Sequence, residues 1–178
     1  MVVPTDTVYG IGCLPFDTGA VDRLFEAKAR PRRLELPVLV DSVEVAGGIS
    51  VVDDRARLLM DRFWPGALTL VLPRSAESRA WPLGGDETSI GVRMPSAAMV
   101  LELLRVTGPL AVTSANRSGA PTPGSCDEVR SIFGEAVASY LCDDGVVTGR
   151  ASCVVDLTAP EPRILREGAL AERVLSLL

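Results

Sequence analysis

The sequence predicts an α/β fold of the α+β kind, a mixed β-sheet with helices packed on it. Among its 178 residues 47% are hydrophobic but only 4% aromatic, so the core is built from Val, Leu, Ile and Ala, as in α/β layers. Short apolar runs interleave irregularly with segments of helical apolar spacing, which argues for a mixed sheet and against a strict βαβ series. The length suits one domain, 1–178, with a substantial core.

The elements follow in order. Met1-Val2-Val3 reads as the tail of a buried strand, followed by a hydroxyl- and glycine-bearing loop, Pro4-Thr5-Asp6-Thr7-Val8-Tyr9-Gly10-Ile11-Gly12. Asp17 or Thr18 caps a helix with Val21, Leu24 and Phe25 on one face, ended by Pro31 after the basic cluster Lys28-Ala29-Arg30. Pro37 to Val40 is a short buried strand. Asp53 or Asp54 opens a helix carrying Ala56, Leu59, Met60 and Phe63, stopped by Trp64-Pro65-Gly66. Ala67 to Leu72 is a strand, Ser75 to Glu87 a polar loop long enough to move, and Ser89 to Met94 a further strand ending near Arg93. Ser96 caps a helix through Val100, Leu103 and Leu104 to Gly108. Leu110 to Val112, a helix over Asp127 to Ala138 capped near Ser125, strands at Tyr140 to Cys142, Cys153 to Leu157 and Arg163 to Arg166, and a terminal helix from Gly168 to Leu178 complete the series.

The stretch from Thr113 to Pro123 organises the chain. An apolar strand runs straight into hydroxyls, an amide, a guanidinium and a glycine, so oxygen-seeking groups are held on a rigid element. Such a loop suits phosphate or carboxylate binding; a polar turn capping the next helix is the structural alternative. Lys28 and Arg30, close together at a cleft mouth, would clamp anionic oxygens, although a helix C-terminus favours cations in any case. Tyr9, Phe63 and Trp64 read as packing residues, and Cys153 as a small core residue.

Composition narrows the chemistry. The net charge of −5 argues against a surface that grips nucleic acid throughout. There is no histidine, which removes His-based acid/base catalysis and a Ser-His or Cys-His pair. Cys13, Cys126, Cys142 and Cys153 lack zinc-ligand spacing, read as four unpaired thiols, and suit a reducing cytosol. No membrane-spanning or signal segment is apparent, so a cytoplasmic location is expected.

Several stretches together resemble one family, the YrdC-type threonylcarbamoyl-AMP synthases of tRNA modification. They are Pro4 to Gly12, Phe25-Glu26-Ala27-Lys28-Ala29-Arg30-Pro31, Phe63-Trp64-Pro65-Gly66-Ala67-Leu68-Thr69, Gly91-Val92-Arg93-Met94-Pro95, Ser114-Ala115-Asn116-Arg117-Ser118-Gly119, Ser152 to Leu157 and Ile164-Leu165-Arg166, in the family's order. The resemblance implies a twisted mixed sheet curved around a concave cleft. There L-threonine, bicarbonate and ATP would give L-threonylcarbamoyladenylate and pyrophosphate, which a partner complex uses next to the tRNA anticodon.

By the same resemblance, Thr7, Arg93 and Ser152 would contact threonine. Arg30, Ser89, Ser114, Thr122 and Arg166, with the main chain near Val112, would contact ATP. Lys28, Arg30, Ser114 and Asn116 would form the catalytic signature. Mg²⁺ would enter with ATP rather than occupy a protein metal site, and any tRNA contact would be weak.

The sequence departs from the family's pattern at Leu34-Glu35-Leu36 and at Leu39, where relatives carry an Asn-Pro-Leu-type segment and a histidine, which bears on one nucleotide and one threonine contact. Ser96-Ala97 replaces an Asp-His pair, and relatives generally have a helix and a complete strand before Pro4, so a covering helix and part of the first strand are expected to be missing. An RNA-binding module and a carbamoyl-adenylate-forming domain of a carbamoyltransferase are the alternatives.

Overall fold

The computed structural model describes residues 1–177. Among them eight strands form one sheet: β1 (Val2–Pro4), β2 (Tyr9–Cys13), β3 (Val38–Leu39), β4 (Leu68–Pro73), β5 (Ser89–Arg93), β6 (Leu110–Ser114), β7 (Cys153–Asp156) and β8 (Arg163–Arg166). Their order is β1-β2-β6-β3-β5-β4-β7-β8, with β3·β5 and β4·β7 parallel and the other neighbours antiparallel. The predicted mixed sheet is therefore observed.

Among the described residues six α-helices flank it: α1 (Thr18–Lys28), α2 (Val43–Ile49), α3 (Asp54–Phe63), α4 (Ala98–Thr107), α5 (Cys126–Phe133) and α6 (Ala171–Leu175). Side-chain caps start four of them. Asp17 accepts from Ala20 N, Ser42 from Val45 N, Asp53 from Ala56 N and Ser125 from Glu128 N, each satisfying an amide that the helix leaves unpaired. The apolar faces of α1, α3 and α5 join strand residues such as Tyr9, Leu70 and Val92 in the main core, while Val100 and Leu104 of α4 close a smaller cluster with Val3, Leu39, Leu110 and Val112.

Several local expectations change in three dimensions. Tyr9 to Gly12 is strand, not loop: a Cβ on Gly10 or Gly12 would collide with Val112 or the Ala111 carbonyl, so the glycines let β2 lie close against β6. Helix α2 was not predicted, because its Val-Glu-Val-Ala-Gly-Gly-Ile run carries two poor helix formers and its Ser42 cap is the main signal. Ser96 does not cap α4; its amide donates to Asp6 Oδ1, and Ala97 occupies the cap position without a side-chain bond. The Tyr140 segment forms only a bridge to Val2, α5 stops at Phe133 before Gly134, and the last helix is one short turn and a half. Leu178, the last residue of the predicted terminal helix, lies outside the described residues. Cys126 and Cys142 are disulfide-bonded, their Cα atoms 5.6 Å apart, which corrects the reading of four unpaired thiols; sequence spacing alone does not bring the start of α5 to residue 142.

Candidate active site

The sheet and its loops enclose a cavity of about 720 Å³, within the roughly 300–1,000 Å³ of small-molecule sites. Thr7, Arg30, Ser89, Arg93, Val112, Ser114, Thr122, Ser152 and Arg166 all line it, although they come from widely separated stretches of chain. Lys28 and Asn116 do not line it.

Lys28 is buried, and its Nζ donates to Ser114 O at 2.5 Å, to Asn116 O, and to Asn116 Oδ1 at 3.5 Å. Its ammonium thus lies under the Ser114 loop, whereas Arg30 lines the cavity. The backbone explains the difference. Ala29 adopts a left-handed conformation (φ 49°) at the end of α1, which turns the chain so that Lys28 points inward and Arg30 reaches the cavity. Burial, and then the neighbouring Arg30 charge, lower the Lys28 pKa to about 8. Arg30 itself donates to Leu34 O (3.1 Å) and Glu35 O (2.8 Å), fixing its guanidinium against the following loop.

The same loop is held from within. Ser114 Oγ donates to Asn116 Oδ1 at 2.6 Å, Asn116 Nδ2 donates to Ala120 O at 2.5 Å, and Ser118 N donates to Lys28 O at 2.9 Å. The Ser114 hydroxyl and the Lys28 ammonium therefore share the Asn116 amide oxygen. Their positions are set before any substrate arrives.

Two further clusters sit on adjoining strands. Arg93 donates through Nη1 to Thr7 Oγ1 (2.8 Å), through Nη2 to Asp6 Oδ1 (2.8 Å) and through Nε to Gly66 O (2.9 Å). Two of its five N–H groups remain for a ligand. Thr7 Oγ1 also lies 2.9 Å from Thr5 Oγ1, and Thr5 is a lining residue too. Across the cavity, Arg166 donates to Ser152 O (3.0 Å) and Ser152 Oγ (2.9 Å), and Ser152 Oγ lies 2.8 Å from Thr69 Oγ1. Burial lowers the pKa of Arg30, Arg93 and Arg166, opposed at Arg93 by the Asp6 carboxylate, but each stays charged at neutral pH.

Sequence reasoning missed Thr5, Thr69, Glu35 and Asp156, all of which line the cavity. Thr5 and Thr69 lie inside motifs already singled out, and for Thr69, on β4, the strand alternation was the available signal. Glu35 carried no positive signal beyond its place in the departure from the family's pattern. Leu39, at the other departure, lines the cavity and stands opposite Arg93 in the β3·β5 register, so an apolar wall adjoins that guanidinium. Packing readings hold: Tyr9 is fully buried with its hydroxyl on Asp144 Oδ1 (2.5 Å), Trp64 Nε1 donates to Leu68 O (2.8 Å), and Cys153 is in the core. Among the described residues no group of three or more His, Cys, Asp or Glu is assembled to hold a metal, and no helix is long and apolar enough to cross a membrane.

Five arginines and a set of hydroxyls converge on a cavity with no histidine or cysteine in its wall, which defines an enzyme that binds and aligns anionic substrates. The Sua5_yciO_yrdC family model, described as "Telomere recombination", matches residues 1–168, and the chain belongs to that family. A Mycobacterium tuberculosis homologue is 45% identical over 100% of this chain and 82% of its own length. The threonylcarbamoyl-AMP synthase of Pyrococcus abyssi is 39% identical over 94% of this chain and 49% of its own. Among solved structures, P. abyssi Sua5 complexed with L-threonine superposes with a TM-score of 0.89 at 35% identity, covering 98% of this chain and 52% of that one. E. coli YciO gives 0.85 at 28% identity, covering 94% and 82%. The chain thus spans about half the length of the P. abyssi Sua5 chain.

Proposed function

We propose that this cavity joins L-threonine, bicarbonate and ATP into L-threonylcarbamoyladenylate with release of pyrophosphate. The chain is a threonylcarbamoyl-AMP synthase, a nucleotidyltransferase, as are relatives that it matches over nearly its whole length, with identity down to 33% in Bacillus subtilis. The observation that carries the reading is the placement of Arg93 with Thr7 and Arg166 with Ser152 around the same cavity as Arg30 and Ser114.

The chemistry asks for alignment and charge neutralisation. The threonine amine and bicarbonate give a carbamate with loss of water; a carbamate oxygen then attacks the α-phosphorus, and the bond to pyrophosphate breaks. In our assignment Arg93, Thr7 and Ser152 hold threonine, with the free N–H groups of Arg93 on its carboxylate. Arg30, Ser89, Thr122, Arg166 and the Val112 main chain hold ATP, and Ser114 keeps the carbamate and α-phosphate in line. Lys28 and Asn116 act through the loop they hold, and the buried ammonium contributes positive charge behind it.

The cavity's carboxylates are already engaged: Glu35 by Arg74, Asp86 by the amides of Thr88 and Ser89, and Asp156 by Thr158 and Arg163. That donor set fits Mg²⁺ carried on the phosphate oxygens, where it would neutralise charge on the leaving pyrophosphate. A downstream complex would take the adenylate to tRNA in the cytoplasm, with at most a weak tRNA contact from this acidic chain.

Pyrophosphate release from ATP by the purified chain tests the reading. Release should require both L-threonine and bicarbonate. Release indifferent to threonine, or driven better by carbamoyl phosphate, would reject it in favour of a carbamoyl-adenylate enzyme.

A further inference from the structure

Arg74, at the end of β4, is 2% exposed and does not line the cavity, yet each of its N–H groups is engaged. Nε donates to Ser89 O (2.7 Å), Nη1 to Ser78 O (3.2 Å) and Trp81 O (3.0 Å), and Nη2 to Glu35 Oε1 (2.6 Å) and Gly84 O (3.4 Å). A guanidinium offers five such donors, so this one is saturated by five acceptors from three segments. The loop after β4 is wrapped around it.

Two of those segments form the wall that carries Arg30 and Ser89. Glu35 is the joint: its carboxylate takes Arg74, while its main-chain carbonyl takes Arg30 Nη2 at 2.8 Å. The loops are also stitched directly, by Gly85 N to Arg32 O (3.0 Å) and Leu36 N to Leu83 O (2.9 Å). A Cβ on Gly85 would lie 2.9 Å from Glu35 Cβ, so the close approach requires glycine there, at φ 75°. On the other side, Arg74 fixes the carbonyl of Ser89, and Asp86 Oδ1 accepts from Ser89 N at 3.2 Å.

We propose that Arg74 is a positioning residue for the nucleotide, which through Glu35 and Ser89 sets the separation of the Arg30-bearing and Ser89-bearing sides of the cleft. The proposal rests on the nucleotide reading of that end of the cavity. It assigns Arg74 no contact with substrate. A guanidinium suits the task because a lysine, with three donors on one atom, cannot span the same acceptors.

The test uses this chain with Arg74→Met, Arg74→Lys, Glu35→Gln and the double variant Arg74→Met with Glu35→Gln, read by ATP calorimetry and by KM for ATP and for L-threonine. Arg74→Met should weaken ATP about tenfold or more while KM for threonine moves by less than about twofold, as expected when a charge-assisted anchor of one subsite is lost. Glu35→Gln should shift ATP affinity in the same direction by less, and the double variant should lose less than the sum, because it leaves no unpaired buried carboxylate. A merely structural arginine would lower the folded fraction, and so turnover, without separating the two substrates. Equal rises in both KM values, or unchanged ATP affinity, would overturn the proposal. Should Arg74→Met not fold, Arg74→Lys and Glu35→Gln decide it on the same criterion. Wild-type protein that binds ATP but releases no pyrophosphate with threonine would reject the synthase reading alone, and the calorimetric arm would still decide the role of Arg74.

Discussion

Lys28 Nζ donates to the main-chain carbonyl of Ser114 across 86 residues of sequence, at 2.5 Å, and so ties the end of α1 to the loop at the end of β6. Lys28 is 1% exposed, and among the described residues its ammonium has only protein oxygens as partners. Lys28→Met should therefore cost both stability and chemistry. We expect a loss of about 2 kcal/mol or more in urea unfolding, because Asn116 O is left buried without a donor, while Ser114 O and Asn116 Oδ1 keep only the Asn116 amide and the Ser114 hydroxyl. Pyrophosphate release should fall at least about a hundredfold in the fraction that folds. Near-normal release from folded Lys28→Met would refute the placement of this charge in the reaction.

Ala29, between Lys28 and Arg30, holds a left-handed backbone that costs an L-residue about 1 kcal/mol and costs glycine almost nothing. Ala29→Gly should raise the melting temperature by several degrees, on the order of 1 kcal/mol, with ATP and threonine affinities unchanged. A fall in melting temperature would show that the turn is not strained.

Arg93→Lys keeps the charge but loses the fork that holds Thr7, Asp6 and Gly66 together. Its KM for threonine should rise about tenfold or more, while ATP binding by calorimetry stays within about twofold. Equal losses for both substrates would remove Arg93 from the threonine side.

Glu35 titrates unusually. Burial pushes its carboxyl up from 4.5 to about 7, with the Arg74 pair opposing and Asp86 reinforcing the shift; the Arg30 guanidinium meets its main chain on the other side. Between those pH values the folded protein binds a proton that the unfolded chain has released. The resulting stabilisation is complete below the unfolded value and is lost as pH rises towards 7. Urea titrations at stepped pH should show this decline in the wild type and its absence in Glu35→Gln.

The pairing of Cys126 with Cys142 leaves Cys13 and Cys153 free, and burial raises the thiol pKa of both, that of Cys13 to about 11. Thiol titration in denaturant should count two groups before reduction and four after it. Four before reduction would show that the bridge does not form in the purified protein. Where it forms, reduction should lower stability by about 3 kcal/mol, the loop-closure term for a 16-residue separation.

The sequence by itself determined most element types and the mixed sheet, because strand periodicity, caps and loop chemistry are local and are written in consecutive residues. Ser114 was legible that way, as an oxygen-seeking group at a strand end, whereas Thr7, Arg93 and Ser152 were singled out by the resemblance to the family. Tertiary structure decided what depends on distant neighbours: that Lys28 turns inward onto the Ser114 loop, that the glycines of β2 admit β6, that Cys126 meets Cys142, and that Arg74 gathers the loop after β4. Arg74 is the clearest case. In sequence it is one basic residue before a polar loop; its role comes from acceptors contributed by Glu35, Ser78, Trp81, Gly84 and Ser89, which only folding brings within reach of one guanidinium.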